Sequence, residues 1–228
     1  DTATTEIYTL SLHDALPIYN INPSSAYLGY LAATIDPTSS AWNGCVSGVR
    51  QLSGSGNTEN YNQPVTLPQF IPHSVVKGAP GVFWAVDPQF NGSYITGFMI
   101  YKGTWNGSTD ITWASNYTVN PSFNTAYGGI PYVGDYNIAF DPSGQIGWMS
   151  FLGHVTPGPS GYAYYPVFYK TTNGGTSWTG PIIVDINQFS CMTASISNGY
   201  IPTCNFEHDL AVDANGNPHF FNDNSPYN

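Results

Sequence analysis

Four times along the chain a short apolar run containing alanine ends on an aspartate. The copies are Ala33-Thr34-Ile35-Asp36-Pro37, Ala85-Val86-Asp87-Pro88, Ala139-Phe140-Asp141-Pro142 and Ala211-Val212-Asp213-Ala214. In the last two the aspartate opens a glycine-containing turn, DPSG and DANG. A second apolar run follows each, Ile146 to Leu152 and His219 to Phe221. An aspartate at the first turn position accepts hydrogen bonds from backbone N–H groups two and three residues on, and glycine supplies the positive φ. Each copy therefore predicts the start of a β-hairpin. A second pattern lies downstream. Phe98-Met99-Ile100-Tyr101-Lys102 leads into GTWNGSTDITW, and Pro166-Val167-Phe168-Tyr169-Lys170 leads into TTNGGTSW. Both reach an Asn-Gly turn and then a tryptophan, and Asn-Gly between apolar runs is a strong hairpin signal. Together the two patterns predict a unit of two hairpins, four strands, over roughly 50 to 70 residues, the size of one propeller blade.

Composition supports strands over helices. Charged residues make up 8% of the chain, against about 25% in a typical domain, while aromatic residues make up 15%. Helices in water display Lys, Glu and Arg, which are scarce here; aromatic and β-branched residues favour pleated surfaces. The fold class expected is all-β. The net charge of −10 rests on four cations, Arg50, Lys77, Lys102 and Lys170, which are scattered. Phosphate neutralisation needs clustered Lys and Arg, so no nucleic acid is expected as a partner. Membrane insertion is not expected either, since no apolar run approaches the roughly 18 residues of a span. An acidic, Lys-poor, Asn/Thr/Tyr-rich chain fits a secreted or cell-surface protein.

The segment Thr171-Thr172-Asn173-Gly174-Gly175-Thr176-Ser177-Trp178 resembles the Asp box, Ser-x-Asp-x-Gly-x-x-Trp, of sialidase-like (BNR) propellers. Thr171 stands for Ser and Asn173 for Asp, while Gly175 and Trp178 match directly. A degenerate copy lies near 104–113. The resemblance implies a partial β-propeller of about three four-stranded blades, with the box as the turn between the third and fourth strands of a blade. Its implied roles are structural: Asn173 caps the turn, the glycines take backbone angles closed to other residues, and Trp178 packs beneath it. The run from Glu6 to Ile18, EIYTLSLHDALPI, resembles translated sequencing-adapter read-through. Residues 1–18 are accordingly set aside, and 19–228 are expected to form an incomplete propeller domain.

A sialidase holds its substrate carboxylate with three arginines, because a planar guanidinium grips a carboxylate through two parallel hydrogen bonds. One arginine, Arg50, cannot supply them. The densest titratable cluster is Glu207-His208-Asp209, and Asp135 occupies the matching place in the preceding unit: Asp135 lies six residues before Asp141, and Glu207 six before Asp213. These four are the weak catalytic candidates. They either cap strand starts or form an acidic ring facing a ligand or cation. Asp213-Ala214-Asn215-Gly216-Asn217 mimics the start of a calcium loop, but Pro218 replaces the required glycine and no glutamate closes it. His73, His154, His208 and His219 lack partners at ligand spacing, so neither a metal nor a cofactor is expected. Tyr162, Tyr164, Tyr165, Trp105, Trp113 and Trp148 are candidates for stacking on sugar rings.

Cys191 and Cys204 bracket a turn-rich segment. A disulfide there would stabilise the fold by roughly 3 kcal/mol; two free thiols are the alternative. The function expected is a non-catalytic binding or structural module with a glycan or protein ligand. The alternative is a fragment of a sialidase-like glycoside hydrolase whose catalytic residues lie largely outside this chain.

Overall fold

The computed structural model describes residues 27–35, 42–51, 57–62, 74–91, 94–107, 110–125, 130–131, 133–159, 161, 163–194 and 201–222. The segment set aside at 1–18, together with His73 and Tyr162, lies outside the described residues. The chain is built of antiparallel strands, as its composition predicts. The first sheet holds β1 (Tyr27–Ile35), β2 (Trp42–Gln51) and β3 (Asn57–Asn62). The second holds β4 (Val75–Lys77), β5 (Val82–Asn91), β6 (Tyr94–Trp105) and β7 (Ile111–Val119). The third holds β8 (Val133–Phe140), β9 (Gly147–Gly153), β10 (Tyr165–Thr171) and β11 (Thr179–Ile183). The fourth is the hairpin of β12 (His208–Val212) and β13 (Pro218–Asn222). Within each sheet the strands pair in chain order, so every sheet is a simple meander. Two sheets thus have the four strands predicted; the flanking ones show three and two among the described residues.

Successive side chains of a strand point to opposite faces, and the sheets use both faces to pack on their neighbours. On β5, Phe83 joins Val49 and Ile111 in a cluster towards the first sheet. Its neighbour Trp84 joins Phe98, Ile100, Ile138, Phe140, Met149 and Phe151 between the second and third sheets. On β9, Leu152 turns the other way and packs with Ala163, Tyr165, Ile186 and Cys204, with Phe220 of β13 against them. Sheets therefore stack face to face in chain order, and two-sided burial explains why β9 reads as a near-continuous apolar run.

The Tyr-Lys repeat marks equivalent strands. Lys102 pairs with Trp84 across β5 and β6, and Lys170 with Trp148 across β9 and β10. The ammonium groups lie 5.4 and 4.9 Å from the ring centroids, within the range of cation–π attraction. The Ala-Asp pattern is less uniform. It ends the first strand in β1, β8 and β12, but Ala85-Val86-Asp87 lies inside β5, a second strand. That copy is out of register with the others, and the apolar run that carries it is the buried centre of a sheet. Asp141 and Asp213 do cap their turns. Asp141 Oδ1 accepts the N–H groups of Gln145 and Ile146 at 3.0 and 2.9 Å. Asp213 Oδ1 accepts those of Asn215 and Asn217 at 2.8 and 2.9 Å. The calcium-loop mimic at 213–217 is this turn.

The disulfide considered between Cys191 and Cys204 is not formed. Cys191 is exposed on the short helix α1 (Ser190–Thr193), whereas Cys204 is 4% exposed and serves as a small core hydrophobe beside Leu152 and Tyr165. The two side chains belong to opposite environments. Burial pushes the Cys204 thiol up to about 12, which suppresses the reactive thiolate. A thiol reagent at neutral pH is therefore expected to label Cys191 in the native protein and Cys204 only after unfolding; peptide mapping of both states checks this, and native labelling of Cys204 would contradict it.

Candidate functional site

Three successive first strands begin at one place. Ser74 immediately precedes β4, Asp135 sits at the start of β8, Glu207 immediately precedes β12, and His208 and Asp209 open it. With Asn137, Phe221 and Asn222 they line a cavity of about 650 Å3. The structure thus brings all four candidate residues, Asp135, Glu207, His208 and Asp209, to a single pocket. The matched spacing to Asp141 and Asp213 is the sequence signal for this. Phe221 and Asn222 carry no such signal, because they reach the pocket through cross-strand pairing of Asp209 with Phe221 and of His208 with Asn222; Asn137 lies two residues after Asp135 on β8.

His208 is the structural hub. Its backbone N–H donates to Asp135 Oδ2 at 2.9 Å, and Asn137 Nδ2 donates to the same oxygen at 3.2 Å and to the His208 carbonyl at 2.5 Å. These bonds stitch β12 to β8. The His208 ring stacks on Phe220 at 4.9 Å, and its Nε2 lies 2.6 Å from Ser150 Oγ. Asn222 ties the hairpin back to the loop, donating from Nδ2 to the Glu207 carbonyl at 2.6 Å and accepting the Asn205 N–H at 3.1 Å.

Ser150, His208 and Asp135 have the residue types of a nucleophilic triad, but not its working geometry. His208 Nδ1 approaches Asp135 Oδ2 to 3.1 Å, yet off the axis of the ring N–H, so the orienting hydrogen bond is not made. Ser150 is fully buried in the middle of β9, where no substrate carbonyl reaches its Oγ. A triad needs an accessible nucleophile and an aligned base. The constellation is a polar clamp between the third and fourth sheets.

A second titratable group lies outside the pocket. Asp87, 3% exposed on β5, has a buried Oδ1 with no hydrogen-bond partner among the described residues. Burial pushes its carboxyl up to about 8, because an apolar surrounding disfavours the charged form. Burial also raises the hydroxyl of Tyr136, which feels in addition the charges of Asp87 and Asp135. The repeat pattern predicts Asp87 at the opening of a turn, whereas the structure places it inside β5.

The segment at 171–178 forms the turn between β10 and β11, the third and fourth strands of the third sheet. Thr171, fully buried, donates from Oγ1 to Asn173 Oδ1 at 2.9 Å and accepts the Gly175 N–H at 3.0 Å. Asn173 Oδ1 accepts the Ser177 N–H at 3.0 Å, and its Nδ2 donates to Ser177 Oγ at 2.9 Å. Gly174 and Gly175 have φ of 61° and 78°. Trp178 is buried edge-on to Phe140, which stacks on Trp84 at 4.8 Å. The turn is thereby keyed to the neighbouring sheet.

Of the aromatic candidates, Tyr165 is fully buried and its hydroxyl accepts from Asn187, while Trp148 donates from Nε1 to the Gly216 carbonyl at 3.0 Å. Trp105 and Trp113 pack beside Phe83 and Ile111. Tyr164 meets Phe206 edge-to-face at 5.2 Å. Phe221, 62% exposed, is the aromatic that lines the pocket itself. Arg50 is exposed on β2 and is not a lining residue. Among the described residues no group of three or more His, Cys, Asp or Glu side chains is placed to hold a metal ion. Compared with known proteins, the chain matches no family model, no curated protein and no solved structure.

Proposed function

We propose that the chain forms successive blades of an Asp-box β-propeller and acts outside the cell or at its surface as a carbohydrate-binding module. The convergence of three successive first strands on one pocket carries this reading. In a propeller the first strands surround the central axis, and a ligand seated there touches several blades at once. The turn at 171–178 supports the family assignment through its placement between third and fourth strands and through the Thr171 and Asn173 hydrogen bonds.

The lining selects the ligand class. Glu207 and Asp209, both exposed, offer carboxylate oxygens and Phe221 offers an apolar ring, while Asp135, Asn137 and Asn222 hold the wall together by bonding within the protein. Carboxylates accept hydrogen bonds from vicinal hydroxyls, and an aromatic face covers the C–H face of a sugar. Without a Lys or Arg in the lining, an anionic sugar would be repelled, so the ligand is neutral. Asp87, whose buried carboxyl is pushed up to about 8, is not a lining residue and does not serve this pocket as a general acid.

Calorimetric titration with neutral mono- and oligosaccharides of glucose, galactose, mannose and N-acetylglucosamine tests the reading. Glu207→Gln and Asp209→Asn are each expected to weaken the bound member by about tenfold or more, the equivalent of 1.4 kcal/mol. Tight binding of a sialylated sugar, or unchanged affinity in Glu207→Gln, would overturn it. Release of reducing ends during the titration would favour the hydrolase instead.

A further inference from the structure

The geometry points to a second contact zone beside the pocket: Tyr164 and Phe206 form an aromatic wall on which a further sugar ring stacks, so that the ligand is a neutral glycan chain rather than a single sugar. This rests on the reading of the pocket as a carbohydrate site and extends it to ligand length.

The wall joins the pocket through backbone continuity. Phe206 directly precedes Glu207, and Gly134 directly precedes Asp135. A Cβ placed on Gly134 would lie 3.6 Å from Tyr164 Cδ1 and 3.7 Å from the Phe206 carbonyl oxygen, both ordinary van der Waals distances. The Tyr164 ring and the Phe206 backbone therefore both lie against Gly134, one residue from Asp135, and Phe206 is itself one residue from Glu207.

Exposure and position then suggest the use. Phe206 is 46% exposed although its ring is held edge-to-face by Tyr164. A fixed, exposed aromatic beside a polar cavity presents a rigid apolar face at little entropic cost. Phe221, on β13, presents another aromatic from within the lining. The lining that holds Phe221 also carries the carboxylates of Glu207 and Asp209. Aromatic faces together with carboxylates suit a chain of pyranose rings, whose C–H faces stack while the equatorial hydroxyls bond sideways. A cavity of about 650 Å3 lies within the roughly 300–1,000 Å3 of sites for ligands of several rings.

Affinities are compared for a homologous series of one to four sugars, built on whichever neutral sugar the wild type binds, in Phe206→Ala, Phe206→Trp and Glu207→Gln, with far-UV circular dichroism confirming the fold of each. Phe206→Ala is expected to lose about tenfold for members of two or more sugars, the equivalent of 1.4 kcal/mol, and nothing for the single sugar. Phe206→Trp is expected to retain the gain with length. If wild-type affinity does not rise beyond one sugar, or if Phe206→Ala binds the longer members as the wild type does while Glu207→Gln does not, the aromatic subsite is overturned and the pocket stands. If Glu207→Gln also binds normally, or no neutral sugar binds, the carbohydrate reading itself falls and this inference with it.

Discussion

Replacing Asp87 with Asn is expected to remove most of the pH dependence of stability between about pH 4 and pH 8. The folded carboxyl titrates at about 8, against 3.8 when unperturbed. Between those values the unfolded chain has released the proton and the native protein still holds it. Stability therefore falls as pH rises, with a slope approaching 1.4 kcal/mol per pH unit inside the window. It is full below the unfolded value and lost once pH passes the folded one. Asp141 and Asp213 act in the opposite sense. Burial works against Asp141, but hydrogen bonds from Ser143, Ile146 and Gln145 outweigh it and lower its carboxyl; the Asn217 backbone and side chain lead in lowering Asp213 to about 2. Their contributions are present above the unfolded carboxylate value and lost only as pH falls below it, outside the window. An uncharged amide has nearly the shape of the protonated acid, so Asp87→Asn is expected to match the wild type near pH 4 and exceed it in stability at pH 8. Denaturant unfolding at a series of pH values measures this. Parallel pH profiles for the two proteins would show that Asp87 is ionised in the native state.

The second large effect is expected at Gly175. Its φ of 78° is a conformation that side-chain-bearing residues rarely adopt, and a Cβ there would lie 2.2 Å from Trp84 Cη2 on the neighbouring sheet. Backbone strain and overpacking each cost about 1–3 kcal/mol, so Gly175→Ala is expected to destabilise the fold by about 3 kcal/mol or more. Ser177→Ala, two residues further on, is the milder companion: it keeps its N–H bond to Asn173 and loses only the hydroxyl. Equal, small losses in both variants would show that the turn is not wedged against Trp84.

Much of the fold was legible in the chain because turn chemistry is local. Asp141 with Gly144, Asp213 with Gly216 and the Asn173-Gly174-Gly175 run each specify a turn from adjacent residues, and each turn is where it was read. The Ala85-Val86-Asp87 copy misled for the converse reason. Its aspartate looks like a turn opener, but the glycine that closes the true turn, Gly81 at φ 74°, lies before the strand and not after it. The repeated Trp–Lys stacking gives the better register, and it was hidden because Trp84 and Lys102 meet only through strand pairing. The site was half visible. Spacing places Asp135 and Glu207 at equivalent strand starts, whereas Ser150 meets His208 from the neighbouring sheet and Phe221 joins the lining by pairing with Asp209, contacts that leave no trace in local pattern. The cysteines show the same limit: chain separation suggested a bridge, and burial of one side chain decided against it.

Hydrogen–deuterium exchange with and without a saturating neutral oligosaccharide tests the central claim most directly, because it reads the whole chain at once. Protection is expected at the starts of β4, β8 and β12 and on β13, covering Ser74, Asp135 to Asn137, Phe206 to Asp209, and Phe221 to Asn222, with the outer strands β7 and β11 unchanged. Protection confined to those outer strands, or none anywhere under saturation, would contradict a ligand seated where the first strands converge.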